Sequence, residues 1–196
     1  MREIELLINE TGEWIDRISL VDEPAIEKDF IAFAKEHQLF SADEEKHIIT
    51  GAVMIPEKRM YREDKQGGYY VYFSEDTIRE AAYRWLKENK NHKFNLDHNI
   101  DTNAVSVIES WIVEDPNNDK SAAMGFKSIP KGTWFISAKV EDESIWEAIK
   151  NGTFNGFSIE GMFHFEDPVE SVDDVIEEAE EFLKEFEKNR ESYTNK

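Results

Sequence analysis

His98 stands apart from the other histidines of the chain. It closes the alternating segment Phe94-Asn95-Leu96-Asp97-His98, on the face of Phe94 and Leu96, where a strand meets the polar loop Asn99 to Asn103. A histidine fixed at a strand end suits a general base, because its unperturbed pKa lies near neutrality and its ring is oriented. Two other readings stay open: a partly buried histidine bonded to polar loop groups, and a metal ligand acting with Asp97 and Asp101. Alternation sets Asp97 opposite His98 and no second histidine stands at ligand spacing, so no metal is expected. His37, His47 and His92 lie in polar surroundings and read as surface positions. His164, between Phe163 and Phe165, reads as an exposed strand position.

A second group is Asn155-Gly156-Phe157-Ser158-Ile159-Glu160-Gly161. Alternation gives Ser158 the face of Gly156, Glu160 and Met162, with Phe157, Ile159 and Phe163 on the other. Flanking glycines leave room for a close approach, which a serine nucleophile attacking a carbonyl needs; the other reading is a structural serine in a strand bend. The spacing is not the nucleophile elbow of α/β-hydrolases, since the second glycine comes one position too late and no helix follows. Glu109 is the third residue of interest. In Ala104 to Val113 it falls with Val105, Val107, Trp111 and Val113, a carboxylate in an apolar stripe, where it needs a partner. It either orients a histidine, as the acid of a triad does, or pairs with Lys or Arg.

The elements that must hold these residues are short. Glu3 to Ile8 and Trp14 to Leu20 read as a hairpin about Thr11-Gly12, with a strand exit at Pro24. Phe30 to Phe33 and Ile48 to Ile55 read as strands separated by a loop around His37 to His47. Tyr69 to Phe73 is aromatic and β-branched, which favours a strand. Ser74-Glu75-Asp76-Thr77 then opens a helix in which Ile78, Ala81, Ala82, Trp85 and Leu86 recur at helical spacing. Phe94 to His98, Ala104 to Val113, Thr133 to Val140 and Phe154 to Phe165 read as strands, and Glu143 to Lys150 as a short helix ending at Asn151-Gly152. The expected class is α+β, with antiparallel strands, two inserted helices and an acidic C-terminal helix.

Composition narrows the chemistry further. The 196 residues contain no cysteine, which excludes thiolate catalysis and a disulfide scaffold. Net charge is −20, so clustered cations for nucleic acid or anionic lipid are not expected. No apolar run approaches the ~18 residues of a membrane span, and Met1-Arg2-Glu3-Ile4-Glu5 lacks the order of a signal peptide. Residues 166–196 hold twelve acidic side chains against four basic ones, so −8 of the charge sits there. The expected division is therefore a domain over 1–166 and an acidic segment over 167–196. In that segment Val172, Val175, Ile176, Ala179, Phe182, Leu183 and Phe186 recur at three- and four-residue steps, an amphipathic helix that docks on its own domain or associates with scaffold or a second copy.

The motif order is specific. Tyr72-Phe73-Ser74-Glu75-Asp76-Thr77-Ile78, then Asn95-Leu96-Asp97-His98, then Gly156-Phe157-Ser158-Ile159-Glu160-Gly161, resembles the capsid maturation (prohead) serine proteases of tailed phages. The XkdF-like group is nearest, and Ile18-Ser19-Leu20-Val21-Asp22-Glu23-Pro24-Ala25 resembles it too; together these cover about residues 14–165. The resemblance implies a fold related to the herpesvirus assemblins, a β-barrel-like core with surrounding helices. It further implies a serine endopeptidase, without cofactor, that cleaves scaffold and major capsid precursors inside the assembling prohead in the host cytoplasm. By position His98 is the base and Ser158 the nucleophile. Assemblins place a second histidine well after the serine, whereas the last histidine here is His164. Some phage relatives carry an acid just upstream of the helix, where this chain has Tyr69 and Tyr70, with Glu63 and Asp64 earlier. Glu109 is the expected third member on facing, Glu160 the alternative because it shares the face of Ser158, and Asp101 follows. A protease-like scaffold or assembly protein without activity is the alternative function, and self-association is compatible with either.

Overall fold

The computed structural model describes residues 2–8, 15–22, 41–43, 45–65 and 67–166. The turn at Thr11-Gly12, the exit at Pro24, the strand at Phe30 to Phe33 and the acidic helix beyond 166 lie outside these residues. The described elements belong to the unit Met1–Phe165, the last strand running one residue past it.

Three four-stranded sheets share one core. The first has the order β12-β1-β6-β5, from β1 (Arg2–Leu7), β5 (Met60–Asp64), β6 (Gly67–Tyr72) and β12 (His164–Glu166). The second, β3-β4-β10-β9, uses β3 (Ser41–Asp43), β4 (Ile48–Met54), β9 (Val105–Ile112) and β10 (Trp134–Val140). The third, β11-β2-β7-β8, uses β2 (Ile15–Val21), β7 (Phe94–Leu96), β8 (Ile100–Thr102) and β11 (Gly156–Gly161). The helices are α1 (Glu75–Lys87), the single turn α2 (Lys120–Ala123) and α3 (Glu143–Lys150).

Local sequence explains the helices well. Ser74 is extended and its hydroxyl accepts from the Thr77 amide at 3.3 Å, while Glu75 and Asp76 oppose the positive end of the α1 dipole. Ile78, Ala81, Ala82 and Trp85 form the buried stripe of α1. Asp142 caps α3 by accepting from the Ser144 and Ile145 amides at 2.8 and 3.0 Å, and that helix buries Ile145 and Trp146. Trp85 meets Trp134 edge to face at 6.2 Å between centroids, which joins α1 to the start of β10.

Mixed α+β architecture, mostly strand, agrees with the sequence; three expectations about pairing do not. β1 and β2 do not form a hairpin: β1 pairs in parallel with β6, and β2 lies between β11 and β7 in another sheet. The β1·β6 and β2·β7 pairs are parallel, so the strands are not uniformly antiparallel. Nor do the described residues close a barrel. Each sheet stops at an edge, and β3, β8 and β12, three residues each, leave little backbone from which pairing could continue.

A bulge in β9 corrects the facing of Glu109. Ser137 pairs with Glu109, but Ala138 pairs with Val107, so Ile108 is left over and lies half exposed. One extra residue inverts the alternation. Val105 and Val107 share the main core face with Ser110 and Ile112, whereas Glu109 and Trp111 share the opposite face with Phe135 and Ser137. That second face carries its own small cluster of Val113, Phe126, Ile129 and Phe135.

Candidate active site

His98 reaches its position through a turn, not a strand. β7 ends at Leu96, the Asn99 amide donates to the Leu96 carbonyl at 3.0 Å, and Asp97 and His98 have φ of +47° and +57°. Consecutive positive φ values in a tight connection are the type I′ hairpin signature, which favours Asn and Gly. Aspartate and histidine occupy it here, a local cost of the kind found at functional sites. The turn swings the ring off the expected Phe94 and Leu96 face. It stands instead over the polar face, where Nδ1 lies 2.9 Å from Ser19 Oγ and 3.7 Å from Glu160 Oε2. The side chain is 41% exposed, so the ring is partly buried and partly open to solvent.

Sheet register assembles the rest. Ser158 on β11 is directly opposite Ser19 on β2, and Ser19 is opposite Asn95 on β7, so three small polar residues run in a row across three strands. All three are buried, Ser158 at 4% exposure. Directly opposed side chains stand roughly 5 Å apart. Glu160, two residues beyond Ser158, is opposite Arg17. Its carboxylate accepts from Asn95 Nδ2 at 2.6 Å and lies 3.8 Å from the Arg17 guanidinium, whose main partner is Asp101 at 2.9 Å. Asn95 Oδ1 has no hydrogen-bond partner among the described residues although the atom is buried, an acceptor that is costly to leave unmade. The His98 ring bond goes to Ser19, and no described residue hydrogen-bonds the Ser158 hydroxyl.

The structure thus gathers His98, Ser158 and Glu160 on one sheet but leaves Glu109 elsewhere. Glu109 pairs closely with Lys120 and accepts from Ser137 Oγ at 2.7 Å, and Ser137 in turn bonds Thr50 at 2.9 Å. The Lys120 ammonium, then the Ser137 hydroxyl, hold its carboxyl below the ordinary glutamate value. It serves the second of the two roles open to it, pairing with a cation. A lowered folded-state pKa means that the stability it contributes is present above the unfolded value and is lost as pH falls through the folded one. Glu109→Gln should therefore lower stability at neutral pH by less than about 1 kcal/mol, given its solvent exposure. The gap to the unsubstituted protein should close in the acid range below the ordinary glutamate value. Urea titrations at neutral and acid pH check this.

Asp101 belongs to Arg17, and Asp97 Oδ1 accepts from the Asp22 amide at 3.3 Å. Among the described residues no three His, Asp or Glu side chains are gathered as a metal ion would require. His47, expected as plain surface, is half-buried and stacks on Trp146 at 4.6 Å, while His92 is exposed. Sequence reasoning missed Ser19 as the partner of His98, and Asn95 and Arg17 as partners of Glu160. A serine between Ile18 and Leu20 and an asparagine between Phe94 and Leu96 were the available signals: small polar residues alternating with apolar ones along a strand.

A serine, a histidine and a carboxylate on one sheet are the residue types of serine peptidases. Comparison with known proteins agrees at the level of the family. Residues 36–167 match the family described as "Putative phage serine protease XkdF", and the chain belongs to that family. His98, Glu160 and Ser158 fall inside the match, and Ser19 precedes it. The chain is also similar to a Bacillus subtilis (strain 168) protein named "Uncharacterized protein YqbD", 26% identical over 152 residues. The alignment covers 75% of this chain and 44% of that protein, so the chain spans less than half the relative's length. No solved structure matches the chain.

Proposed function

We propose that the chain is a serine endopeptidase of phage head maturation, with an assemblin-like arrangement of base and nucleophile. The observation that carries this is the His98 ring held by Ser19, on the strand beside Ser158 and at the level of Ser158 itself. With Nδ1 turned to Ser19 and Glu160, the geometry that suits catalysis is Nδ1–H donating to Ser19 Oγ, which leaves the Nε2 lone pair as the base. Glu160, fixed by Asn95, then stabilises the imidazolium that forms.

In the proposed reaction Nε2 takes the Ser158 hydroxyl proton as Oγ bonds to the substrate carbonyl carbon. The C–N bond breaks as the imidazolium returns that proton to the leaving amine. Water, deprotonated by the same nitrogen, then releases the acyl group and restores Ser158. The substrates in this reading are scaffold and major capsid precursors within the prohead of an infected cell, and the acidic segment beyond 166 is the part that associates with scaffold. Co-expression with these precursors tests it. Shortened products with the unsubstituted chain and intact precursors with Ser158→Ala support the reading, and equal processing by both ends it.

A second reading rests on a specific observation: His98 bonds Ser19, while Ser158 is 4% exposed and without such a bond among the described residues. In that reading the chain is a protease-like assembly protein without activity, and neither form of the chain shortens the precursors.

A further inference from the structure

Arg17 on β2 stands directly opposite Glu160 on β11, and opposite charges that face each other across an antiparallel pair ordinarily join. The Arg17 side chain instead crosses β7 to reach β8, where Nε lies 2.9 Å from Asp101 Oδ1 and Nη2 donates to Asp101 Oδ2 at 3.2 Å. Two N–H groups on one carboxylate make the strong, forked arginine geometry. Nη1 is left 3.8 Å from Glu160 Oε1, beyond hydrogen-bond reach. The other carboxylate oxygen, Oε2, accepts from Nδ2 of the buried Asn95 at 2.6 Å and lies 3.7 Å from His98 Nδ1. Asp101 therefore holds the cation that the sheet register sets against Glu160.

We infer that Asp101 is a positioning residue: by holding Arg17 across β7, it keeps the Glu160 carboxylate as the counter-ion of His98. The inference rests on the reading of His98 as the base for Ser158, and adds what governs that base. An Arg17 turned onto Glu160 would compensate the charge that the imidazolium needs and compete with Asn95 for the carboxylate. The remaining charged groups near the turn are Asp97 within it and Asp22 just beyond β2. Both are engaged there: the Asp22 amide donates to Asp97 Oδ1 at 3.3 Å, and Asp22 Oδ1 accepts from Asn155 Nδ2 at 3.0 Å. The Asp101 side chain is 71% exposed, so its own field is screened by water and ions before it reaches the ring. Its influence on His98 runs through Arg17.

A double-mutant cycle read by NMR on the full chain tests this without requiring turnover. The His98 ring signal is followed against pH and is assigned by its loss in His98→Asn. Asp101→Asn keeps the shape of the side chain but releases the guanidinium, so the midpoint of the His98 titration should fall by about half a pH unit or more as the protonated ring loses its counter-ion. In an Arg17→Gln background the same Asp101→Asn substitution should leave the midpoint unmoved, because nothing remains to turn onto Glu160. Fluorophosphonate labelling of Ser158 should slow by about 3-fold or more in Asp101→Asn, the equivalent of that shift, and recover in the double variant. Equal falls in the two backgrounds would mean that Asp101 acts on the ring directly, and no fall in either that Arg17 does not turn; each overturns the inference. Where Ser158 is still labelled in those cases, the nucleophile stands. The expected cycle with no labelling of Ser158 in any form keeps the role of Asp101 toward His98 and ends the catalytic reading instead.

Discussion

Ser158→Ala is expected to remove peptide hydrolysis, by about 10⁴-fold or more, in a protein that folds as before. The effect on chemistry is large because the hydroxyl is the atom that bonds to substrate in the proposed reaction, and no described neighbour supplies another strong nucleophile. Ser19 is fully buried and already engaged by His98, and the chain has no cysteine. The effect on the fold is small for separate reasons. Ser158 sits in an antiparallel pair whose backbone bonds with β2 do not depend on the side chain, and its hydroxyl bonds no described residue. Alanine fills the same place with one atom less, within the ~0.5 kcal/mol scatter of substitutions that break no special feature. Activity against precursor peptides and a urea titration of the same sample separate the two effects.

His98→Asn should reduce turnover by about 10²–10⁴-fold while leaving the turn intact. Asparagine is chosen because His98 stands at φ +57° in a type I′ connection, where asparagine is among the favoured residues. A loss of activity then reports the imidazole and not the collapse of the β7–β8 hairpin. His98→Ala would confound the two, since alanine is poorly suited to a left-handed position. Combining His98→Asn with Ser158→Ala should give no further loss beyond Ser158→Ala, because residues that act as a unit are not additive. A double-mutant comparison of kcat at saturating substrate checks this.

The parts of this fold that are legible in the sequence are those decided by neighbours along the chain. Ser74 with Glu75 and Asp76 marks the start of α1, and the aromatic run Tyr69 to Tyr72 marks β6. Pairing partners are another matter. Nothing local tells β1 to align with β6 and not with β2, because parallel neighbours are joined by long crossovers and identified only by tertiary packing. Glu109 shows how little is needed to mislead a facing argument. One extra residue at Ile108 turns it from the core stripe toward Lys120. His98 fails the alternation rule similarly, since a type I′ turn replaces the last two residues of the expected strand. Ser158 and Glu160, on an uninterrupted stretch of β11, keep the shared face that alternation assigns them, up to the register shift at Gly161.

The claim at the centre is that His98 activates Ser158, and labelling with a fluorophosphonate reads it most directly. Intact mass and peptide mapping of the full chain should show one adduct, on Ser158, formed much more slowly in His98→Asn than in the unsubstituted protein. An adduct on another residue, no adduct, or a rate indifferent to His98→Asn would contradict it.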